Sequence, residues 1–71
     1  MLGKYIKAYI IEKGMKLKTI GEKAGIKRQR FYELLEGKSK IEAVEYFRIC
    51  KALEVEVGYF IEKVENTLNA R

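Results

Sequence analysis

The sequence predicts an all-α domain, and three observations carry that expectation. Apolar residues recur at steps of three and four along most of the 71 residues. Proline is absent, so the six glycines are the only strong breakers, and Gly14, Gly25 and Gly37 fall where the apolar pattern pauses. The balance of 48% hydrophobic and 35% charged residues suits a compact helical chain and argues against disorder. A chain of this length is one domain, residues 1–71, and buries only about 60% of its unfolded surface. Its core is therefore thin, and dimerisation would support it.

Five helices follow in order. The first is expected over residues 2–13, with Tyr5, Ile6, Tyr9 and Ile10 facing the core and Gly14 ending it. The second, 17–24, places Leu17, Ile20 and Ala24 on one face. It begins at Lys16 and Leu17 without a Ser, Thr, Asp or Asn cap, a loss of about 1 kcal/mol. Gly21 in its middle costs about another 1 kcal/mol against alanine, which a closely passing backbone would explain. Gly25 supplies the left-handed residue that ends a short helix. The third helix, 28–36, has the apolar stripe Phe31, Leu34 and Leu35. Ser39 and Glu42 match a capping box, so the fourth is expected over 40–53, with Val44 or Tyr46, Ile49, Cys50 and Leu53 inward. The fifth, 56–69, carries the stripe Val57, Phe60, Ile61, Val64 and Leu68. Its first three members are expected in the core, and Val64 and Leu68 form a partner-facing extension.

Charge is distributed unevenly. Residues 1–40 hold eleven Lys or Arg against four Glu, whereas residues 41–71 hold four against six. The basic half contains helices two and three, whose tight glycine turn makes them a helix-turn-helix. A polyanion on that side of the molecule is the expectation.

Other classes find little support. There is no histidine and one cysteine, so a zinc site or an internal disulfide is not expected. Cys50 reads as a small core residue whose apolar surroundings raise its pKa. No nucleophile–base pair, phosphate loop or paired apolar carboxylates appear, so no enzymatic activity, cofactor or metal is expected. No apolar run reaches the roughly 18 residues of a membrane span, and no signal peptide is visible. A cytoplasmic protein is the expectation.

The ordered residues Ile6, Lys13-Gly14-Met15, Ile20-Gly21-Glu22-Lys23-Ala24-Gly25-Ile26, Phe31, Leu34, Glu36-Gly37-Lys38 and Ile49-Cys50-Lys51-Ala52-Leu53-Glu54-Val55 resemble the lambdoid repressor and Cro-like (Xre-like) helix-turn-helix domains. The resemblance spans about residues 2–62. It implies a five-helix bundle of the lambda-repressor-like type, a homodimer, and transcription regulation, as a repressor at a palindromic operator of prokaryotic or phage type. Five positions and one missing proline depart from the family pattern. Lys16 and Leu17 stand where Ser or Thr and then Gln are usual. Ile10 and Leu35 replace a buried Arg–Glu pair, an exchange that good packing makes at least neutral. Gly21 replaces alanine, and the proline before helix four is absent.

A wheel at about 100° per residue assigns roles on helix three. Gln29 and Glu33 point most directly away from the core, with Tyr32 and Arg30 on opposite flanks and Arg28 at the N-terminal end. The expected base-reading residues in double-stranded DNA are Arg28 to guanine, Gln29 to adenine, Glu33 to cytosine N4, and Tyr32 to a thymine methyl or a phosphate. Lys16, Lys18, Lys27, Arg30, Lys38 and Lys40 are expected on the backbone. Val64 and Leu68 are expected at the dimer interface. The alternative reading is a protein-interaction module or antitoxin-like adaptor that binds a partner through helix five.

Overall fold

The computed structural model describes residues 2–69. Five helices run in order: α1 Leu2–Glu12, α2 Leu17–Ala24, α3 Arg28–Leu35, α4 Ala43–Leu53 and α5 Gly58–Asn69. The all-α class is as expected. α2 packs mainly on α4, and α1 packs on both α3 and α5. Their apolar stripes meet in one core that includes Ile6, Ile10, Phe31, Leu34, Leu35, Ile49, Cys50 and Phe60. Phe31 and Phe60 are the largest of its fully buried side chains; truncating such a ring to alanine costs about 3–5 kcal/mol. Ile10 and Leu35 are both buried, so apolar packing, not an ion pair, stands at these two positions. A surface pair, Lys7 Nζ to Glu36 Oε1 at 2.7 Å, joins α1 to the end of α3 instead.

α1 crosses α3 very closely, and Gly3 makes this possible. A Cβ there would stand 2.1 Å from the Leu34 carbonyl oxygen and 3.2 Å from the Leu35 Cα. Gly21 was expected to admit a passing backbone. It faces the Phe31 ring instead, where a Cβ would lie 3.0 Å from Cδ2. Space at Gly21 is thus set by a core side chain that the α2–α3 packing drives inward.

Helix four begins three residues later than expected. Its N-cap is Glu42, and the Glu45 carboxylate accepts the Glu42 amide at 3.0 Å. A capping box at 42 and 45 prevails over Ser39 and Glu42 because Glu45 also receives Arg30 from α3. The start at Ala43 turns Tyr46 inward and leaves Val44 58% exposed. The Tyr46 hydroxyl donates to the Val57 carbonyl, tying α4 to the loop before α5.

Helix five also differs. It starts at Gly58, and of Val57, Phe60 and Ile61 only Phe60 is buried; the other two are 43% and 41% exposed. Aromatic edges decide this rotation. Tyr9 of α1 meets Phe60 and Tyr59 edge-on, with centroids 5.6 and 5.4 Å apart. Tyr5 and Thr67 share a hydroxyl–hydroxyl bond further along. Of the α5 residues, Phe60 is therefore buried and Val64 half-buried, whereas Ile61, Thr67 and Leu68 are exposed, as is Val57 just before the helix.

Candidate nucleic-acid interface

The polar side of α3 is held in place from three directions. Its apolar side is locked by Phe31, Leu34 and Leu35. Ahead of it, Gly25 takes φ 69° and ψ 28°, and its amide bonds the last carbonyls of α2. This left-handed residue turns the chain between the two helices at no steric cost. Behind it, Arg30 reaches across to α4. Its Nε bonds Glu45 Oε2 at 2.8 Å, its Nη2 bonds Glu45 Oε1 at 2.9 Å, and Nη2 also bonds the Lys40 carbonyl at 3.2 Å. Hydrogen bonding from Arg30 holds the Glu45 carboxyl below the usual carboxylate range.

Arg28, Gln29, Tyr32 and Glu33 line one shallow depression of about 500 Å3, joined by Glu36 and Lys38. All four expected base-reading residues thus share a surface. Arg28 and Gln29 are exposed, whereas Tyr32 and Glu33 are half-buried. The Arg28 guanidinium lies over the Tyr32 ring, 5.6 Å from its centroid, a cation–π contact that orients both. Tyr32 leans toward α2, sharing a small cleft with Leu17, Lys18 and Gly21.

Lys16 and Lys27 occupy the N-cap positions of α2 and α3, and neither helix has a side-chain cap. The sequence flagged the open end of α2; that of α3 is an addition. Free amides at a helix N-terminus favour an anion. Lys16, Lys18, Lys27, Lys38 and Lys40 are all exposed, and among the described residues the ion pairs engage only Lys7 and Arg30. Arg30 therefore stands apart from the lysines with which it was grouped. It joins two helices, and a spacing rule within α3 could not reveal a partner fifteen residues away.

Elsewhere the expectations about chemistry are modest. Cys50 is buried, and burial pushes its thiol up. Burial likewise pushes Tyr46 up to about 12. No helix among the described residues is long and apolar enough to cross a membrane.

Two short helices joined at a left-handed glycine, the second presenting a polar side rimmed by lysines, define a helix-turn-helix DNA-binding domain. The family model of the Cro/C1-type HTH DNA-binding domain matches residues 5–65, and the chain belongs to that family. No curated protein and no solved structure matches the chain.

Proposed function

We propose that this chain is a sequence-specific transcriptional regulator of double-stranded DNA, acting as a repressor. It binds as a homodimer to a palindromic operator with α3 in the major groove. The observation that carries this reading is the single depression on α3 lined by Arg28, Gln29, Tyr32 and Glu33. A bidentate donor for guanine, an amide that donates to adenine N7 and accepts from N6, an acceptor for cytosine N4 and an aromatic surface for a thymine methyl are the side-chain types that major-groove reading uses. Lys16, Lys18, Lys27, Lys38 and Lys40, which join no ion pair among the described residues, hold the flanking phosphates. Arg30, engaged by Glu45, presents α3 at a fixed angle and touches phosphate only through its remaining N–H groups.

Val64 and Leu68, with the exposed Val57 and Ile61 beside them, form the face that meets a second copy. Two copies would set half-sites about 34–36 Å apart, one turn of the duplex. The chain works without a metal, a cofactor or catalysis, in the cytoplasm.

Selection of binding sites from random duplex DNA tests the whole reading. The expected result is an inverted repeat whose half-sites centre one helical turn apart. Recovery of no enriched sequence at low salt overturns sequence-specific binding, and enrichment of an unpaired half-site overturns the dimer.

A further inference from the structure

A second concave surface has nothing to do with α3. A depression of about 680 Å3 lies between the C-terminal ends of α2 and α4, within the size range of ligand sites. Its floor is Ala24, Gly25 and Ala52, so the concavity comes from missing side chains. Lys23, Arg48 and Lys51 stand around it, with Glu54 the single acid. All three cations are exposed, and none joins an ion pair among the described residues.

This charge runs against its surroundings. Residues 41–71 are net acidic, yet two of their four cations, Arg48 and Lys51, meet at this point. Val44 and Phe47, four residues before them on the same face of α4, are 58% and 53% exposed. Cations beside uncovered apolar groups complement an acidic segment that also carries apolar side chains.

We infer that the α2–α4 depression docks an acidic peptide segment of another protein. Its carboxylates meet Lys23, Arg48 and Lys51, and its apolar side chains settle on the alanine floor and against Phe47. A duplex is the less favoured occupant. The depression shares no lining residue with the α3 surface. It also lies at the opposite ends of α2 and α4 from Lys16 and from the Lys40–Arg30 junction.

The test is an amide chemical-shift titration of the full chain with a short synthetic peptide of glutamate and leucine. Saturable shifts confined to residues 23–25 and 44–54 are expected. Arg48→Glu with Lys51→Glu should weaken the peptide by about tenfold or more, since reversing contact charges removes attraction and adds repulsion. Ala52→Leu fills the floor without changing charge and should weaken it too. Both variants alter exposed or half-buried sites, and retained spectral dispersion verifies their fold. Absence of saturable shifts overturns the inference, as do equal shifts around every lysine, which mark plain charge attraction. If the double charge reversal instead lowers affinity for random duplex DNA and flattens its salt dependence, the surface is a DNA contact and the inference fails.

Discussion

Arg30 and Glu45 meet as two parallel hydrogen bonds, Nε to Oε2 at 2.8 Å and Nη2 to Oε1 at 2.9 Å. Glu45 has a second task, since its Oε1 also accepts the Glu42 amide that opens α4. One carboxylate therefore starts α4 and fixes where α3 lies against it. The paired geometry is directional, so it constrains angle as well as distance.

Acid should loosen this junction. Arg30 lowers the Glu45 pKa chiefly by hydrogen bonding, and Lys7 does the same to Glu36. A carboxyl with a folded pKa below its unfolded value of about 4.3 adds stability that is complete above that value. The contribution disappears as pH falls through the depressed folded pKa. Thermal melts between neutral pH and pH 3 should show an acid decline that Glu45→Gln flattens. Glu36→Gln should flatten it less, because its pair is more exposed to solvent. An unchanged acid limb in the Glu45 variant would show that the pair does not couple folding to pH.

The two glycines that face neighbouring elements should respond differently to alanine. At Gly3 the added methyl meets the Leu34 carbonyl, which is fixed within α3. Gly3→Ala must push α1 off α3, at about 1–3 kcal/mol. At Gly21 the added methyl meets the Phe31 ring at 3.0 Å, and the gain in helix propensity of about 1 kcal/mol offsets part of that crowding. Urea unfolding should rank Gly3→Ala clearly below Gly21→Ala. The reverse order would mean that α1 is free to shift.

Much of this was legible in the sequence, for reasons that particular residues make plain. Helical spacing located α2 and α3 within a residue, because Gly25 closes one helix and leaves only Ile26 and Lys27 before the next. The polar side of α3 was equally legible, since Phe31, Leu34 and Leu35 define its opposite. The misreadings arose where two elements compete. Ser39 and Glu42 form an acceptable local box, but Glu42 and Glu45 prevail through Arg30, a tertiary partner. Around the start of α5, hydrophobicity alone favours Val57 and Ile61 for the core, while Tyr9 selects the Tyr59–Phe60 edge by shape. Gly3 gave no local signal, because the carbonyl that requires it belongs to another helix.

Glu54 offers a stabilising change. It ends α4 at φ 58°, a left-handed conformation that costs a side chain about 1–2 kcal/mol. Glycine removes that strain but gives the unfolded chain more freedom, worth about 0.4–1 kcal/mol in the other direction. Glu54→Gly should therefore stabilise by about 0.5–1 kcal/mol, the difference between those terms. A midpoint that falls in urea would mean that the Glu54 side chain has a favourable role in its surroundings.

The proposed dimer face can be tested without DNA. On α5, Leu68 is 53% exposed and Val64 half-buried, near the exposed Ile61 and, just before the helix, Val57. Burying such side chains contributes about 25 cal/mol per Å2. Leu68→Glu should shift sedimentation toward the monomer with little change in unimolecular stability, because Leu68 adds nothing to the core. A wild-type chain that sediments as a monomer at high concentration, with or without duplex, would sink this assignment.

The division of labour on α3 yields the sharpest prediction. Arg28 sits beside Tyr32, exposed at the leading end of the helix, whereas Lys40 lies in the loop before α4. If Arg28 reads guanine, Arg28→Ala should cost about 1–3 kcal/mol at the selected site and relax one base position. Lys40→Ala should weaken all duplexes alike and reduce the salt slope by about one unit, as expected for one phosphate contact. Arg30→Ala should differ from both, because its main partner is Glu45. It should lower stability first, and lower affinity for every sequence through the misplaced α3. Titrations of the three variants against the selected and a scrambled duplex, alongside their melts, separate these cases. Loss of sequence preference in the Lys40 variant, or unchanged preference in the Arg28 variant, would reassign which side chain reads the groove.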